Sequence, residues 1–300
     1  MMMMKQWWFA KRKLTQATLL AMGLSGMPLA ALAETVTIGG ANFSEQTVLA
    51  NIYAAALQQQ GIEVKTRLNL GNREIIIPAL KTGELDVVPE YLGALLNHYH
   101  PDARVTTQQE VTRELTASLP ADFALLNAAA ASSITAWAVS EETAKKHQLK
   151  TLSDLAKVAP QLVVGGPPEL ATRALGLPGL ERVYDIKFKA VRSLDMGGPL
   201  SRLALNSGKI DVATVVSTQG DLSKEKWVVL EDDKHEQPAQ NVVPLVHKGA
   251  VSAKAEQALN QVSARLTTAD LIELNKQVDV EHKDPAKVAG QWVKTNLKTN

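Results

Sequence analysis

The chain has 300 residues, 45% apolar and 21% charged, which is enough to build the cores of two lobes of ordinary size and excludes a disordered chain. It contains no cysteine, so disulfides, zinc-thiolate sites and thiol nucleophiles are excluded. Its 32 basic and 31 acidic residues nearly cancel, and the basic cluster lies at the start of the chain, so neither nucleic acid nor an anionic membrane is indicated as a partner.

Lys5, Lys11, Arg12 and Lys13 make that positive start, Leu14 to Leu32 is mostly apolar, and Ala31-Leu32-Ala33 is the small-x-small pattern that signal peptidase cleaves. Residues 1–33 are expected to be a signal peptide, with cleavage after Ala33 and a periplasmic mature chain. The apolar run is short and carries Gly23, Gly26 and Pro28, which argues against a retained anchor. No cysteine stands near Ala33 to carry a lipid.

From Glu34 onward, short β-branched runs alternate with amphipathic segments, the pattern of βαβ units and a largely parallel sheet. Val36 to Gly39 reads as a strand. Asn42-Phe43-Ser44 offers an N-cap for a helix over Val48 to Leu57, closed by Gly61. Glu63 to Leu70 reads as a second strand, Gly71 as a turn, Ile75 to Leu80 as a helix ending at Gly83, and Asp86 to Tyr91 as the closing strand.

Ala79-Leu80-Lys81-Thr82-Gly83-Glu84-Leu85-Asp86-Val87 is echoed by Ala204-Leu205-Asn206-Ser207-Gly208-Lys209-Ile210-Asp211-Val212. In each, a helix ends at a glycine suited to the left-handed conformation and a strand follows through an aspartate. Two copies of one corner imply two lobes of similar build. Between them, Thr135 to Val139 reads as a strand, Glu141 to His147 as a helix, and Gln161 to Gly165 and Lys187 to Ala190 as strands. After the second copy come a strand over Val228 to Leu230, a solvated loop over Glu231 to Glu236, and a strand over Asn241 to His247. Helical spacing marks Ala253 to Leu266, Thr268 to Val278 and Pro285 to Leu297. With crossings near Thr135 and Asn241, and the terminal helices packed back, lobe 1 is expected over 34–138 plus 240–300 and lobe 2 over 139–239.

No G-x-S-x-G, Walker A, G-x-G-x-x-G, H-E-x-x-H or EF-hand pattern occurs, so neither an enzyme nor a cofactor is indicated. His98-Tyr99-His100 has no third ligand at metal-binding spacing and reads as an exposed loop, so no metal is expected. In open α/β sheets ligands sit where strands end. Those segments here are Asn42 to Gln46, Gly71 to Arg73 and Pro89 to Tyr91 in lobe 1, and Gly165 to Glu169 with Arg173 in lobe 2. Trp137, Trp227, Tyr53, Tyr184 and Phe188 lie in strand or helix patterns and are expected in the core.

Gly39-Gly40-Ala41-Asn42-Phe43-Ser44-Glu45-Gln46, Leu70-Gly71, Ala79 to Asp86 with Pro89-Glu90-Tyr91-Leu92-Gly93, and Asp232-Asp233-Lys234-His235 resemble the glycine betaine, choline and carnitine binding proteins of osmoprotectant ABC importers. The resemblance implies an α/β chain of the type II periplasmic-binding-protein fold, two lobes joined by a two-stranded hinge, with an inner-membrane permease and its ATPase as partners. It implies a cage of tyrosines around a quaternary ammonium, with Tyr91 at one cage position and Gln46 reaching the ligand's polar end. Three other cage positions fall on Thr135, Val216 and Gln240, and Ala94 stands where a threonine is expected. Arg73 stands where the family pattern has a small hydroxyl residue, and could pair with a carboxylate or phosphate. The expected ligand-binding residues are Asn42, Phe43, Gln46, Arg73, Tyr91, Thr135, Arg173, Val216 and Gln240. The expected function is capture of a small betaine-like osmoprotectant by a monomer. The alternatives are the same role for another small polar or anionic solute, or an enzyme or sensor domain on the same fold.

Overall fold

A computed structural model describes residues 34–222 and 224–297. The expected signal peptide and the Ala33 cleavage point lie outside the described residues.

The chain runs β1 (Thr35–Gly39), α1 (Ser44–Gln59), β2 (Glu63–Arg67), α2 (Arg73–Lys81), β3 (Val87–Tyr91), α3 (Leu92–Tyr99), α4 (Gln108–Ser118) and β4 (Phe123–Leu125). It continues with β5 (Thr135–Ser140), α5 (Glu141–His147), α6 (Leu152–Ala156), β6 (Val163–Gly166), α7 (Leu177–Tyr184), β7 (Ala190–Ser193), α8 (Pro199–Asn206), β8 (Val212–Val216) and β9 (Trp227–Leu230). Last come β10 (Val242–His247), α9 (Ala253–Ser263), α10 (Thr268–Asp279) and α11 (Pro285–Asn296).

The described strands form two five-stranded sheets of one plan, ordered β2-β1-β3-β10-β4 and β7-β6-β8-β5-β9. In each, two pairings are parallel and two antiparallel, so four strands run one way and one, β10 or β5, runs against them. Alternation along β3 and β10 sorts the first core onto two faces. Val87, Tyr91, Val242 and Val246 pack with α1, α9, α10 and α11, whereas Val88, Val243 and Leu245 pack with α2, α3 and α4. The second sheet buries Trp137, Val139, Val164 and Val212 against α5, α6 and α7.

The repeated corners are alike atom for atom. Asp86 Oδ2 accepts from the Thr37 amide at 2.7 Å, and Asp211 Oδ2 accepts from the Val163 amide at 2.8 Å. Each aspartate's own amide returns a bond to the same residue's carbonyl, at 2.8 Å in both. Gly83 and Gly208 have φ of +74° and +66°, values that a residue without Cβ adopts at least cost.

β5 lies wholly in the second sheet, so the expected lobe boundary after 138 falls inside a strand, and the chain passes between sheets before Thr135. There the two passages run side by side: Ser132 bridges Asn241 antiparallel, and amide bonds join Val242 to Ala131 and Ser133 to Gln240.

Several local expectations need correction. β7 begins at Ala190, where the predicted strand ended, because the register that pairs it with β6 starts at Val163↔Ala190. His98 and Tyr99 close α3 rather than lying in a loop. The segment 231–236 is not simply solvated, because Asp232 accepts from Tyr184 Oη and from the amides of Glu236 and Gln237 at 2.9 Å, and this turns Glu236 inward.

Candidate functional site

Two cavities lie where elements of both sheets face each other. The first, about 810 Å³, is lined by Asn42, Phe43 and Glu45 from the start of α1, by Asp195 and Met196 before α8, by Val216 at the end of β8 and Gln219 beyond it, and by Asn275 and Asp279 of α10. The second, about 460 Å³, is lined by Arg73, Thr135, Arg173, Gln240, His98 and Met196 among others. Met196 is common to both.

The nine expected ligand residues divide accordingly. Asn42, Phe43 and Val216 face the first cavity, and Arg73, Thr135, Arg173 and Gln240 face the second. Gln46 and Tyr91 are buried and line neither. Gln46 Nε2 donates to the Pro89 carbonyl at 3.2 Å and its Oε1 accepts from the Ala41 amide at 3.3 Å, so the side chain ties α1 to β3. Tyr91 Oη donates to Glu45 at 2.7 Å. Burial, with Glu45 beside it, pushes the Tyr91 phenol well up.

Both arginines expected to meet an anion already hold carboxylates. Arg73 forks onto Glu90 at 2.8 and 2.7 Å with both side chains nearly buried. Burial pulls its guanidinium down, and the charge and hydrogen bonds of Glu90 outweigh that and raise it. Arg173 reaches across to Glu74 on α2 at 3.2 and 2.8 Å and to Glu169 at 3.4 Å. Gln240 Oε1 is likewise occupied by the Ala94 amide at 2.9 Å.

Glu45 is the residue that sequence reasoning passed over. It is 1% exposed and accepts from Tyr91 Oη, Thr218 Oγ1 and Asn275 Nδ2, joining the first sheet, the segment after β8 and α10 at one point. The signal was available, because Glu45 stands inside the quoted motif between Phe43 and Gln46. Asn275 was also marked, as a polar residue on the apolar stripe of Leu271, Leu274 and Val278.

Beside the second cavity, burial lifts the Glu236 carboxyl from 4.5 to about 7. A raised folded-state pKa means that its contribution is fully present below about pH 4.5 and is lost as pH rises through about 7. Glu236→Gln is therefore expected to gain on the wild type by on the order of 1–3 kcal/mol at pH 8 and to match it near pH 4. Urea unfolding at the two pH values checks this, and equal differences at both would rule out Glu236 as the cause.

The family model described as the substrate binding domain of ABC-type glycine betaine transport systems matches residues 34–295. That match spans nearly all of the described chain. The chain belongs to this family. It is 32% identical over 278 residues to a glycine-betaine-binding protein of Pseudomonas aeruginosa, covering 88% of each chain. It is 27% identical over 299 residues to the glycine betaine-binding protein YehZ of Escherichia coli, covering 94% of this chain and 97% of that one. A crystal structure described as a glycine betaine/carnitine/choline ABC transporter superposes with a TM-score of 0.68 at 26% identity, covering 87% of this chain and 98% of its own. The glycine betaine transport fold is thus the type II periplasmic-binding-protein fold expected from the sequence. Members of this family are extracytoplasmic substrate-binding proteins that work with a permease and an ATPase. Phe43 is the one Phe, Tyr or Trp lining either cavity among the described residues, where the resemblance implied a cage of tyrosines.

Proposed function

We propose that the chain is the periplasmic substrate-binding subunit of an ABC importer that captures a small osmoprotectant of the glycine betaine or choline type and delivers it to an inner-membrane permease. The family match over residues 34–295 carries this reading, and cavities bounded by both sheets give it a place to act. Capture is non-covalent: ligand that touches both sheets favours the closed arrangement by its differential affinity. The hinge is the pair of passages bonded at Ser132 and Asn241. On this reading the working unit is a monomer, residues 34–134 with 240–300 and 135–239 are its lobes, since β5 belongs to the second sheet, and it is exported with cleavage after Ala33.

A second reading, the same role for a different small polar solute, is favoured by Thr135, Val216 and Gln240 offering no π face. Its anionic form has less support, since Arg73 and Arg173 are paired within the protein.

The test is a thermal-shift panel on the exported protein with glycine betaine, choline, carnitine and small organic anions. A cognate solute at a hundred times its dissociation constant adds about 2.7 kcal/mol, expected here for a betaine or choline. A rise with anions alone would overturn the first reading.

A further inference from the structure

The first cavity is built for a cation, but not specifically for one without hydrogens on nitrogen. Four carboxylates, Glu45, Asp195, Asp221 and Asp279, face a single guanidinium, Arg202, and one imidazole, His282. Arg202 is already spent, at 2.8 Å from Asp221 and 3.8 Å from Glu225. Asp195 is also spent, since it accepts from the amides of Leu200 and Ser201 at 3.0 and 2.8 Å and so caps α8. Glu45 and Asp279 remain, and no cationic side chain lies within ion-pairing distance of either among the described residues. The partners of Glu45 are neutral donors, and Asp279 accepts from Ser44 Oγ. A buried carboxylate without a counter-charge is costly, so a solute that brings the charge is favoured there.

A second, independent observation concerns acceptors. Among the described residues, Asn275 Oδ1 and Gln219 Oε1 are buried with no hydrogen-bond donor, and Arg202 Nε is an orphaned donor beside them. Asn275 is 1% exposed and Gln219 9%, and both line the cavity. Buried acceptors of this kind call for N–H groups. A quaternary ammonium has none, a primary ammonium has three and a guanidinium has five. Phe43 adds an apolar face on the same wall, which suits the methylene stem of a small amine.

We infer that this cavity binds a small organic cation that donates N–H bonds, a primary ammonium or guanidinium, through Glu45, Asp279, Asn275 and Gln219. The inference rests on the solute-capture reading in its second form, the same role for a different small polar solute, and names that solute's class. A bound amine would place its charge between Glu45 and Asp279 and donate to Asn275 Oδ1 and Gln219 Oε1. The ranking of solutes by methylation then runs opposite to that of an aromatic cage.

The experiment is calorimetric titration of the exported protein with choline, dimethylethanolamine, methylethanolamine and ethanolamine, which exchange methyl groups for N–H on one skeleton. Ethanolamine is expected to bind about tenfold or more tightly than choline, as gained hydrogen bonds to charged groups imply. Asp279→Asn is expected to remove most of that preference. Gln219→Met, which keeps the volume, is expected to reduce it even if Asp279→Asn folds poorly, as judged by its unfolding midpoint. Choline tightest in the series would overturn the inference and leave the solute-capture reading standing. No binding by any member, with glycine betaine and carnitine also silent, would overturn both.

Discussion

Arg73→Ala is expected to lower the unfolding free energy by about 3–5 kcal/mol, the cost of leaving a buried charge without its partner. Arg73 and Glu90 have side chains 10% and 6% exposed and share two charge-assisted bonds. Among the described residues, the Glu90 side chain takes one further bond, from the Tyr91 amide at 3.1 Å. Removing the guanidinium strands the carboxylate between α2 and β3. Replacing both partners by apolar residues of similar volume, Arg73→Met with Glu90→Leu, is expected to recover most of the loss, because neither charge then has to be desolvated. Urea unfolding of the two variants checks this. A single variant of near wild-type stability that has lost a solute would instead make Arg73 a ligand group, as its position in the sequence suggested.

Gly220→Ala is expected to cost about 3 kcal/mol, at the upper end for overpacking, because the intruding atom meets backbone and not a movable side chain. A Cβ there would stand 2.2 Å from the Lys276 nitrogen and 2.3 Å from its Cα. The clash would force the segment after β8 away from α10, and Asn275 would lose the Thr218 carbonyl, now 2.9 Å away, along with its hold on Glu45. The unfolding midpoint is expected to fall by about 6–12 °C, given roughly 2–4 °C per kcal/mol for a chain of this size. Gly83→Ala is the comparison. It has open space but a left-handed backbone, and its expected loss is about 1 kcal/mol. Equal losses would mean that backbone conformation, not the close approach, decides both.

The architecture was legible wherever periodicity and turn chemistry agreed. The repeat ending at Gly83 and Gly208 announced two units of one plan, and the sheets share strand order, corner and register. Helices α9, α10 and α11 were read from apolar spacing, and each has its side-chain cap, Ser252, Thr267 and Asp284. Helix α3 was missed because it follows β3 with no intervening loop, Tyr91 ending one and capping the other. Helix α4 carried a readable start in Thr107 three residues before Glu110, with Val111 and Leu115 on one face. The site was less legible because a side chain's partner is a fact of three dimensions. Nothing in the sequence around Arg73 says that Glu90, in the next element, will neutralise it. Gln46 and Gln240 look like ligand groups in a motif, yet both spend their amides on backbone. Glu45 went unnoticed for the reverse reason, because a glutamate in a first helical turn has an ordinary explanation at the helix dipole.

Met196 carries the sole sulfur of the chain beyond residue 27, and it lies half-buried on the wall common to the carboxylate-lined and arginine-lined cavities. A cysteine-free chain has no thiol to react first with an oxidant, so at this wall the damage falls on the thioether. Conversion to the sulfoxide makes a pliant apolar side chain polar and chiral, here on the wall that both cavities share. Oxidative wear would therefore reach solute handling well before it reached either core, and a methionine sulfoxide reductase acting on this one residue would restore it.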